Sequence, residues 1–216
     1  MGAATRSRRR RLKPEERREL ILEGAVKLFA ENGYSETTMT QIAGAAEITP
    51  AVIYDHFPSK AALAIELLER HTRELLGFVA RALARAPENP AAQMRAGVEA
   101  FFTYVEEHRV TWRVLFRDPP PDPQVAAAYR RLNREATAGI AIFLERGDQR
   151  GALADYGHPG QAAEMFAEAL KAAQNGLAEW WYDHPEVPRE QVVERLLEFA
   201  WSGLAQIALS ADGESA

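Results

Sequence analysis

Cysteine is absent from the 216-residue chain. Disulfides, thiolate metal sites and thiol catalysis are therefore excluded, and a reducing compartment is compatible with the composition. Long apolar runs are lacking too, since no stretch approaches the roughly 18 residues of a membrane-spanning helix. The basic first residues, 1–13, are not followed by the apolar segment of a secretory signal. We expect a soluble, cytoplasmic protein.

Signatures of catalysis are also lacking. The chain has no HExxH, no phosphate-binding glycine loop and no GxSxG. Its five histidines are scattered rather than clustered with other metal ligands: His56, His71, His108, His158 and His184. For His71 and His108, beside apolar positions, a hydrogen-bonded place in the core is the favoured interpretation. We assign no catalytic residue, metal or cofactor, and predict that the chain is not an enzyme.

What is present is a pattern of short helices over residues 37–60. Thr38 and Gln41 have the spacing of a capping box, in which each side chain accepts a hydrogen bond at the start of a helix. Thr49 suits the N-cap of a second helix, and Pro50 suits its first position because the missing N–H is not needed there. Two short helices joined by a tight turn predict a helix-turn-helix, which is typical of DNA-binding proteins.

The apolar residues of these helices indicate which faces meet. The positions expected in a shared core are Ile42, Ala43, Ile48, Ile53 and Phe57. The positions left facing outward are Ala51, Val52, Tyr54, Asp55 and His56. A single surface Tyr or His is usually only solvated, but a shared face on a helix-turn-helix favours DNA contact. For Asp55 both alternatives stay open, because a carboxylate accepts from cytosine but is repelled by phosphate.

These residues carry a resemblance to the tetracycline-repressor (TetR) family of transcriptional regulators. The similar positions are Gly33-Tyr34, Thr37-Thr38, Ile42-Ala43, Ala46, Ile48-Thr49, Ile53-Tyr54, His56-Phe57, Ser59-Lys60 and Leu63. The resemblance implies double-stranded DNA as a partner. It implies phosphate contacts at Thr38, Thr49, Tyr54, His56 and Lys60. It implies base-facing positions at Pro50, Ala51, Val52 and Asp55.

Two positions depart from the family pattern. Glu47 stands in the turn where members often have glycine, and a left-handed conformation there would cost a non-glycine residue roughly 1 to 2 kcal/mol. Pro50 stands where many members have Lys or another polar residue. Proline removes a possible donor to DNA, so base recognition is expected to involve few side chains.

The charge divides along the chain. The net charge is −5, but residues 1–70 carry 11 Lys or Arg against 10 Asp or Glu, whereas residues 71–216 carry 15 against 21. The basic residues from Arg6 to Lys13 precede the first acid, Glu15. Such a run is usually a solvated tail, but beside a helix-turn-helix a flexible arm can contact phosphates or the minor groove. We favour the arm.

The pattern along the remaining chain is helical throughout. Helix one is expected from Pro14 to Asn32-Gly33, and a long helix from its Ser59 cap to about Arg85. Proline and glycine clusters then separate four further helical blocks, and none has a strand pattern. We predict an all-α fold, in which an N-terminal three-helix helix-turn-helix domain precedes a C-terminal helical bundle. The predicted ranges are a basic flexible arm at 1–13, the DNA-binding domain at 14–58, a linking helix at 59–85 and a ligand-binding and dimerisation domain at 86–216.

Aromatic residues with a few polar neighbours indicate a ligand pocket among the middle helices. The candidate lining residues are Phe101, Tyr104, His108, Trp112, Phe116, Tyr129, Asn133 and Met165. For any one of them a place in the core is the simpler interpretation. A pocket lined by some subset follows from the family resemblance, and its apolar walls favour a small apolar or aromatic effector.

The last two blocks indicate an interface. The first is rich in small residues, namely Ala162, Ala163, Ala167, Ala169, Ala172, Ala173 and Gly176. The second is apolar at Val192, Val193, Leu196, Leu197, Ala200, Trp201 and Leu204. The TetR resemblance implies a homodimer formed by these two helices as a four-helix bundle. The alternative is a core within one chain.

The favoured function is a ligand-responsive DNA-binding regulator of transcription, and we predict that it acts as a repressor. It would bind an inverted-repeat operator as a homodimer and be released by its effector, through a tilt of the linking helix. The alternative is a helical small-molecule-binding or enzymatic protein with an accessory DNA-binding module, since a helix-turn-helix alone does not decide function.

Overall fold

The computed structural model describes residues 13–148, 153 and 158–210, with residue 159 and residues 201–210 described by their backbone alone. The predicted arm, apart from Lys13, lies outside this range. The helices are α1 (Pro14–Glu36), α2 (Met39–Ala45), α3 (Pro50–His56), α4 (Lys60–Arg85), α5 (Pro90–Glu107), α6 (Arg109–Trp112), α7 (Pro123–Gly147), α8 (Pro159–Asp183) and α9 (Arg189–Ser210). A π-helical turn, Arg113–Arg117, follows α6. No strand occurs among the described residues, so the all-α prediction is confirmed. Within these ranges every helix is too short or too polar to cross a lipid bilayer.

The predicted caps start α2 and α3. The amide of Gln41 donates to Thr38 Oγ1 at 3.2 Å, and the amide of Thr38 donates to Gln41 Oε1 at 2.8 Å. Thr49 Oγ1 accepts from the amide of Val52 at 3.4 Å, and Pro50 occupies the first position of α3. These side chains satisfy amides that have no partner within the helix. The capping predictions are confirmed.

The turn between α2 and α3 is closed by Glu47 in a left-handed conformation, with φ of 54°. Its amide donates to Gly44 O at 3.1 Å, and the amide of Ile48 donates to Ala43 O at 2.9 Å. This pair of bonds is the Schellman motif, which usually places glycine at the left-handed position. Among the described residues Glu47 is the one non-glycine residue with a positive φ. The departure from the family pattern is therefore a real backbone cost.

The front core joins α1 to α4 and continues into the rear of the molecule. Its buried members include Ile42, Ile53, Leu63 and Leu68, and the same cluster contains Leu115 of the π-helical turn. Residues of α7 complete it: Val125, Ala128 and Leu132. Packing therefore crosses residue 58, the predicted end of the DNA-binding domain, without interruption.

Arg18 holds three of the front helices together. Its Nε donates to Glu66 Oε1 at 2.7 Å, and its NH1 donates to His56 O at 3.1 Å. The guanidinium also lies 4.3 Å from the ring centroid of Phe57. Arg18 thus fixes α1 against the end of α3 and against α4. The planar guanidinium suits this combination, because it donates in two directions while stacking on a ring.

The rear bundle has two further cores. The larger joins α5, α6, α8 and α9, and its buried members include Phe102 and Trp181, whose ring centroids are 5.9 Å apart. The smaller lies between α7 and α8 and contains Ala162, Ala163 and Ala167. Small side chains there allow the two helices to approach closely.

We expect Glu47→Gly to raise the free energy of unfolding by about 0.5 to 1 kcal/mol, because glycine adopts a positive φ without a Cβ clash. Urea denaturation measures the change. Glu47→Ala is the matched control, since it removes the same carboxylate but keeps the backbone cost. A Glu47→Gly variant no more stable than Glu47→Ala would contradict this explanation of the turn.

Candidate functional site

The predicted DNA-contacting residues lie at the start of α2, along α3 and at the start of α4, and we call the surface that they form the reading face. Six are exposed: Thr38, Thr49, Pro50, Ala51, Tyr54 and Asp55. Val52, His56 and Lys60 are half-buried. Tyr54 is 53% exposed, which is unusual for a side chain with so much apolar surface. An exposed aromatic residue among exposed polar side chains is the pattern expected of a binding surface.

Lys60 is already engaged in this conformation. Its Nζ donates to Tyr34 O at 2.6 Å, to Thr37 O at 2.7 Å and to Ser35 O at 3.2 Å. It also lies 4.3 Å from the ring centroid of Tyr34. An ammonium has three protons, so all of its donors are used. The phosphate contact of Lys60 stays a prediction, and it requires a phosphate oxygen to replace one of these carbonyls.

Tyr34 connects this cluster to the rear bundle. Its hydroxyl donates to Asp122 Oδ2 at 3.4 Å, and Asp122 caps α7 by accepting from the amide of Gln124 at 2.9 Å. Burial, followed by the nearby Asp122 charge, raises the pKa of Tyr34 to about 12. The phenol therefore keeps the proton that it donates at neutral pH. Arg113 adds a second link by donating to Ala30 O at 2.7 Å.

A cavity of about 330 Å³ lies among α4, α5, α7 and α8. Its volume is at the small end of the range of roughly 300 to 1,000 Å³ for small-molecule sites. Five of the eight predicted pocket residues line it: Phe101, Trp112, Phe116, Tyr129 and Asn133. Sequence reasoning missed much of the wall, including Leu68, Thr72, Leu75, Leu76, Val79, Leu83, Met94, Gly97, Val98, Ile140, Phe143, Leu170, Lys171 and Gln174.

Two polar residues of the wall differ in how well they are satisfied. Lys171 is only 8% exposed, and its Nζ donates to Thr137 Oγ1 at 2.5 Å, to Glu168 Oε2 at 2.7 Å and to Asn133 O at 3.3 Å. The hydroxyl of Thr72 is buried without a hydrogen-bond partner, and no other side-chain polar atom in the described part of the chain shares that state. The Lys171 ammonium therefore uses all three of its protons in hydrogen bonds, whereas the Thr72 hydroxyl makes none.

Three predicted pocket residues lie outside this cavity. Tyr104 and His108 have ring centroids 4.2 Å apart and form a separate cluster with His71, whose Nδ1 is 2.9 Å from Tyr104 Oη. Burial lowers the pKa of His71, so its ring is neutral at pH 7. His71 and His108 line a second, more polar cavity between α1, α4 and α6. Met165 is 67% exposed on α8, because its position faces away from the bundle. Across the described residues no three His, Asp or Glu side chains are arranged to hold a metal ion.

The predicted interface residues of α8 and α9 divide between buried and exposed positions. Several of the predicted interface residues are buried inside their own chain: Ala162, Ala163, Ala167, Val192, Val193, Leu196 and Leu197. Three other predicted residues, Ala169, Ala172 and Gly176, lie on the exposed face of α8, which also carries Met165 and Trp180 at helical spacing. Phe199 of α9 is 72% exposed. The side chains of Trp201 and Leu204 lie outside the described residues.

Comparison with known proteins gives matches over both halves of the chain. Residues 21–67 match the family described as bacterial regulatory proteins, tetR family, and residues 90–203 match the tetracyclin repressor-like C-terminal domain. The chain is 32% identical to the HTH-type transcriptional activator FasR of Mycolicibacterium smegmatis, over 93% of this chain and 88% of FasR. It is 31% identical to the HTH-type transcriptional repressor KstR2 of the same organism, over 89% and 93% of the two chains. A TetR-like transcriptional regulator from Rhodococcus sp. RHA1 superposes with a TM-score of 0.71 at 27% identity, over 90% and 99% of the two chains.

We expect Tyr54→Phe to weaken binding to every DNA sequence by about the same factor, roughly threefold to tenfold, because a phosphate hydrogen bond carries no sequence information. Asp55→Asn should instead change the preferred base at one position of each half-site. Selection of binding fragments from random DNA, followed by fluorescence anisotropy, measures both effects. Tyr129→Phe is the matched control, since Tyr129 lines the cavity. Unchanged DNA binding in both reading-face variants would show that α3 is not docked as we expect.

Proposed function

The chain belongs to the tetR family of bacterial regulatory proteins and is a ligand-responsive DNA-binding regulator, and on this premise we propose how it acts. It binds an inverted-repeat operator in the cytoplasm as a homodimer formed by α8 and α9. An effector enters the cavity among α4, α5, α7 and α8 and releases the DNA. The observation that carries this proposal is that α4 belongs to both the front core and the cavity wall. FasR and KstR2 are named as a transcriptional activator and a transcriptional repressor.

The geometry of α4 supports a mechanical link, in which the helix rotates as a rigid lever between the cavity and the front core. Leu63 and Leu67 of its front half are buried in the front core, while Leu75 and Val79 of its rear half line the cavity. At 1.5 Å per residue a helix of 26 residues is roughly 39 Å long, and α4 extends from the front core to the cavity wall. A ligand that pushes its rear half aside must therefore rotate its front half, because close-packed interiors transmit such displacements.

A second link runs through α7. Tyr129 and Asn133 line the cavity, and Asp122 at the start of the same helix accepts from Tyr34, whose carbonyl accepts from Lys60. Ligand contacts on α7 would thus reach the Lys60 cluster by a route that does not use the length of α4. The two routes converge at the start of α4, beside the predicted DNA contacts.

The dimer is supported by the exposed surface of α8 and α9. Regulators of this family bind DNA operators and small-molecule effectors, usually as dimers. The exposed stripe on α8 combines small residues with Met165 and Trp180, and Phe199 adds an aromatic side chain from α9. A large apolar surface on two adjacent helices is costly to leave in water. Two copies of this chain would cover it by isologous contact.

The sign of regulation stays a prediction. FasR is named as an activator and KstR2 as a repressor, at nearly the same identity to this chain. We propose repression, in which the bound dimer covers a promoter. A reporter gene fused to the operator that the protein selects tests the sign, since expression should rise when the protein is deleted. A fall would make the protein an activator.

We expect Phe199→Asp to raise the dimer dissociation constant about a hundredfold or more, because each subunit would place a charge in the apolar interface. Sedimentation velocity at micromolar concentration measures the change, and circular dichroism checks that the helices remain. Phe199→Leu, which keeps an apolar side chain, should still dimerise. Leu197→Asp should unfold the chain instead of separating dimers, because Leu197 is packed in the core of its own subunit. A Phe199→Asp variant that remains dimeric would refute this interface.

We expect an effector found by thermal-shift screening to bind operator-bound protein about 5 to 150 times more weakly than free protein, since linkage makes the antagonism reciprocal. Gly97→Leu should abolish this response while leaving operator affinity within about twofold, because a side chain at Gly97 meets only Leu83 at ordinary contact distance and then enters the cavity. Calorimetry with and without operator DNA measures the coupling.

Ala91→Leu is the control for this variant, since Ala91 is an exposed residue of the same helix, α5. It should respond to effector like the unmodified protein. Equal effector affinity for the free and DNA-bound protein would contradict the lever, because a ligand indifferent to two states cannot shift their balance.

A further inference from the structure

We propose that the effector is an uncharged, largely apolar molecule with one polar group, and that the Thr72 hydroxyl is the anchor for that group. This inference rests on the proposed function for the location of the effector. It adds the chemical class of the ligand and a specificity-determining residue.

Thr72 differs from the other described residues of the cavity wall in having a fully buried side-chain polar atom without a hydrogen-bond partner. It is 8% exposed in the middle of α4, and its Oγ1 has no hydrogen-bond partner. Buried polar groups are nearly always paired, because an unpaired hydroxyl in an apolar setting loses the bonds that water would supply. The oxygen itself is shielded in this conformation, so a turn of the side chain about χ1 would present the hydroxyl to a ligand hydroxyl or carbonyl in the cavity and restore the missing bond. The anchor would therefore be present in the ligand-bound state and absent in the free state.

The charge of the wall excludes an ionic anchor. Lys171 is the one charged residue among the described residues lining the cavity, and its three protons are donated to Thr137, Glu168 and Asn133. Hydrogen bonds from Lys171 and Thr137 hold the pKa of Glu168 below its usual range, so the pair stays ionised and compensated. A carboxylate in the cavity would find no free cation, and an amine would find no free anion. Burying either charge unpaired is strongly unfavourable.

The other polar groups of the wall fit the same class. Gln93, Asn133, Gln174 and Asn175 carry neutral amides, which accept and donate but do not compensate a charge. Apart from the neutral Tyr129 hydroxyl and Trp112 indole N–H, the remaining wall is aliphatic and aromatic. A neutral ligand with a long apolar part and a small polar end matches both regions.

Position gives Thr72 a second role. It lies between Leu68, which belongs to the front core as well as to the cavity wall, and Leu75, which belongs to the rear half of α4. A bond to Thr72 therefore attaches the ligand to the helix that carries Lys60. The anchor would couple recognition of the polar group to movement of the reading face.

Three probes of equal chain length test the ligand class: decan-1-ol, decanoate and decylamine. Calorimetry with the full chain at about neutral pH, where the last two are ionised, should show that decan-1-ol binds at least about tenfold more tightly than either ion. Tighter binding of decanoate would overturn the inference, because it would mean that Lys171 releases Glu168 to pair with a ligand. Failure of decan-1-ol to bind would overturn it as well.

Two substitutions test the anchor. Thr72→Val keeps the shape of the side chain but removes the hydroxyl, and should weaken decan-1-ol binding about threefold to tenfold, the value of one neutral hydrogen bond. Thr72→Ser keeps the hydroxyl and should bind within about threefold of the unmodified protein. Thr103→Val, a half-buried position of α5 outside the cavity wall, is the control. Equal binding by Thr72→Val and the unmodified protein would refute the anchor.

Thermal stability and release of operator DNA are measured in separate experiments. Thr72→Val should melt at the same temperature as the unmodified protein or higher, since it removes an unsatisfied hydroxyl. Operator binding in the presence of decan-1-ol, followed by fluorescence anisotropy, reports on the proposed release. Thr72-dependent binding of decan-1-ol without any effect on DNA would support the ligand class and refute the lever. Release of DNA by decanoate alone would support the lever and refute the ligand class.

Discussion

The sharing of α4 between two packed regions is the constraint on which the rest of the molecule depends. Leu68 belongs to both regions, because its side chain is buried in the front core and also lines the cavity. Packed side chains of α4 therefore connect the front core directly to the cavity. A change in the shape of the cavity that displaces the rear half of α4 must therefore be accommodated either by repacking of the front core, which close-packed interiors resist, or by rotation of α4 as a body.

Hydrogen bonds and an ion pair also join α4 to the other helices of the DNA-binding region. Lys60, the first residue of α4, donates to three carbonyls at the end of α1. Tyr34 supplies one of these carbonyls, and its hydroxyl donates to Asp122, the N-cap of α7. Arg18 ties α4 to α1 a turn and a half further along, through Glu66. These contacts hold the helix-turn-helix as a rigid unit on α4. Rotation of α4 would therefore carry the helix-turn-helix with it, whereas a loosely attached helix-turn-helix would not follow the rotation.

Sequence patterns predicted the local features and missed many of the distant ones. The caps at Thr38, Thr49 and Ser59 depend on residues within a few positions, so spacing alone identified them, whereas the left-handed Glu47 was indicated by the family resemblance. The contacts of Arg18, Lys60 and Tyr34 join residues far apart in sequence, and no periodicity reports them. In α8 and α9 the apolar pattern indicated that residues are buried, but not whether their own chain or a second subunit covers them. Leu197 is covered by its own chain, whereas Met165 and Phe199 are exposed. Tyr104 has the same chemistry as a pocket residue, but its hydroxyl is satisfied by the His71 cluster instead.

The central claim is that occupation of the cavity moves the reading face by rotating α4, and a distance across the dimer tests it most directly. The chain has no cysteine, so Thr40→Cys, on the exposed side of α2, gives one spin label per subunit. Electron–electron double resonance then measures the separation between the two subunits, whose recognition helices must lie about 34 to 36 Å apart to enter successive major grooves. We predict that decan-1-ol, at a concentration where calorimetry shows the cavity filled, shifts this distance distribution by several ångströms, roughly the displacement seen in other switching proteins. Identical distributions with the cavity filled and without ligand would contradict the account.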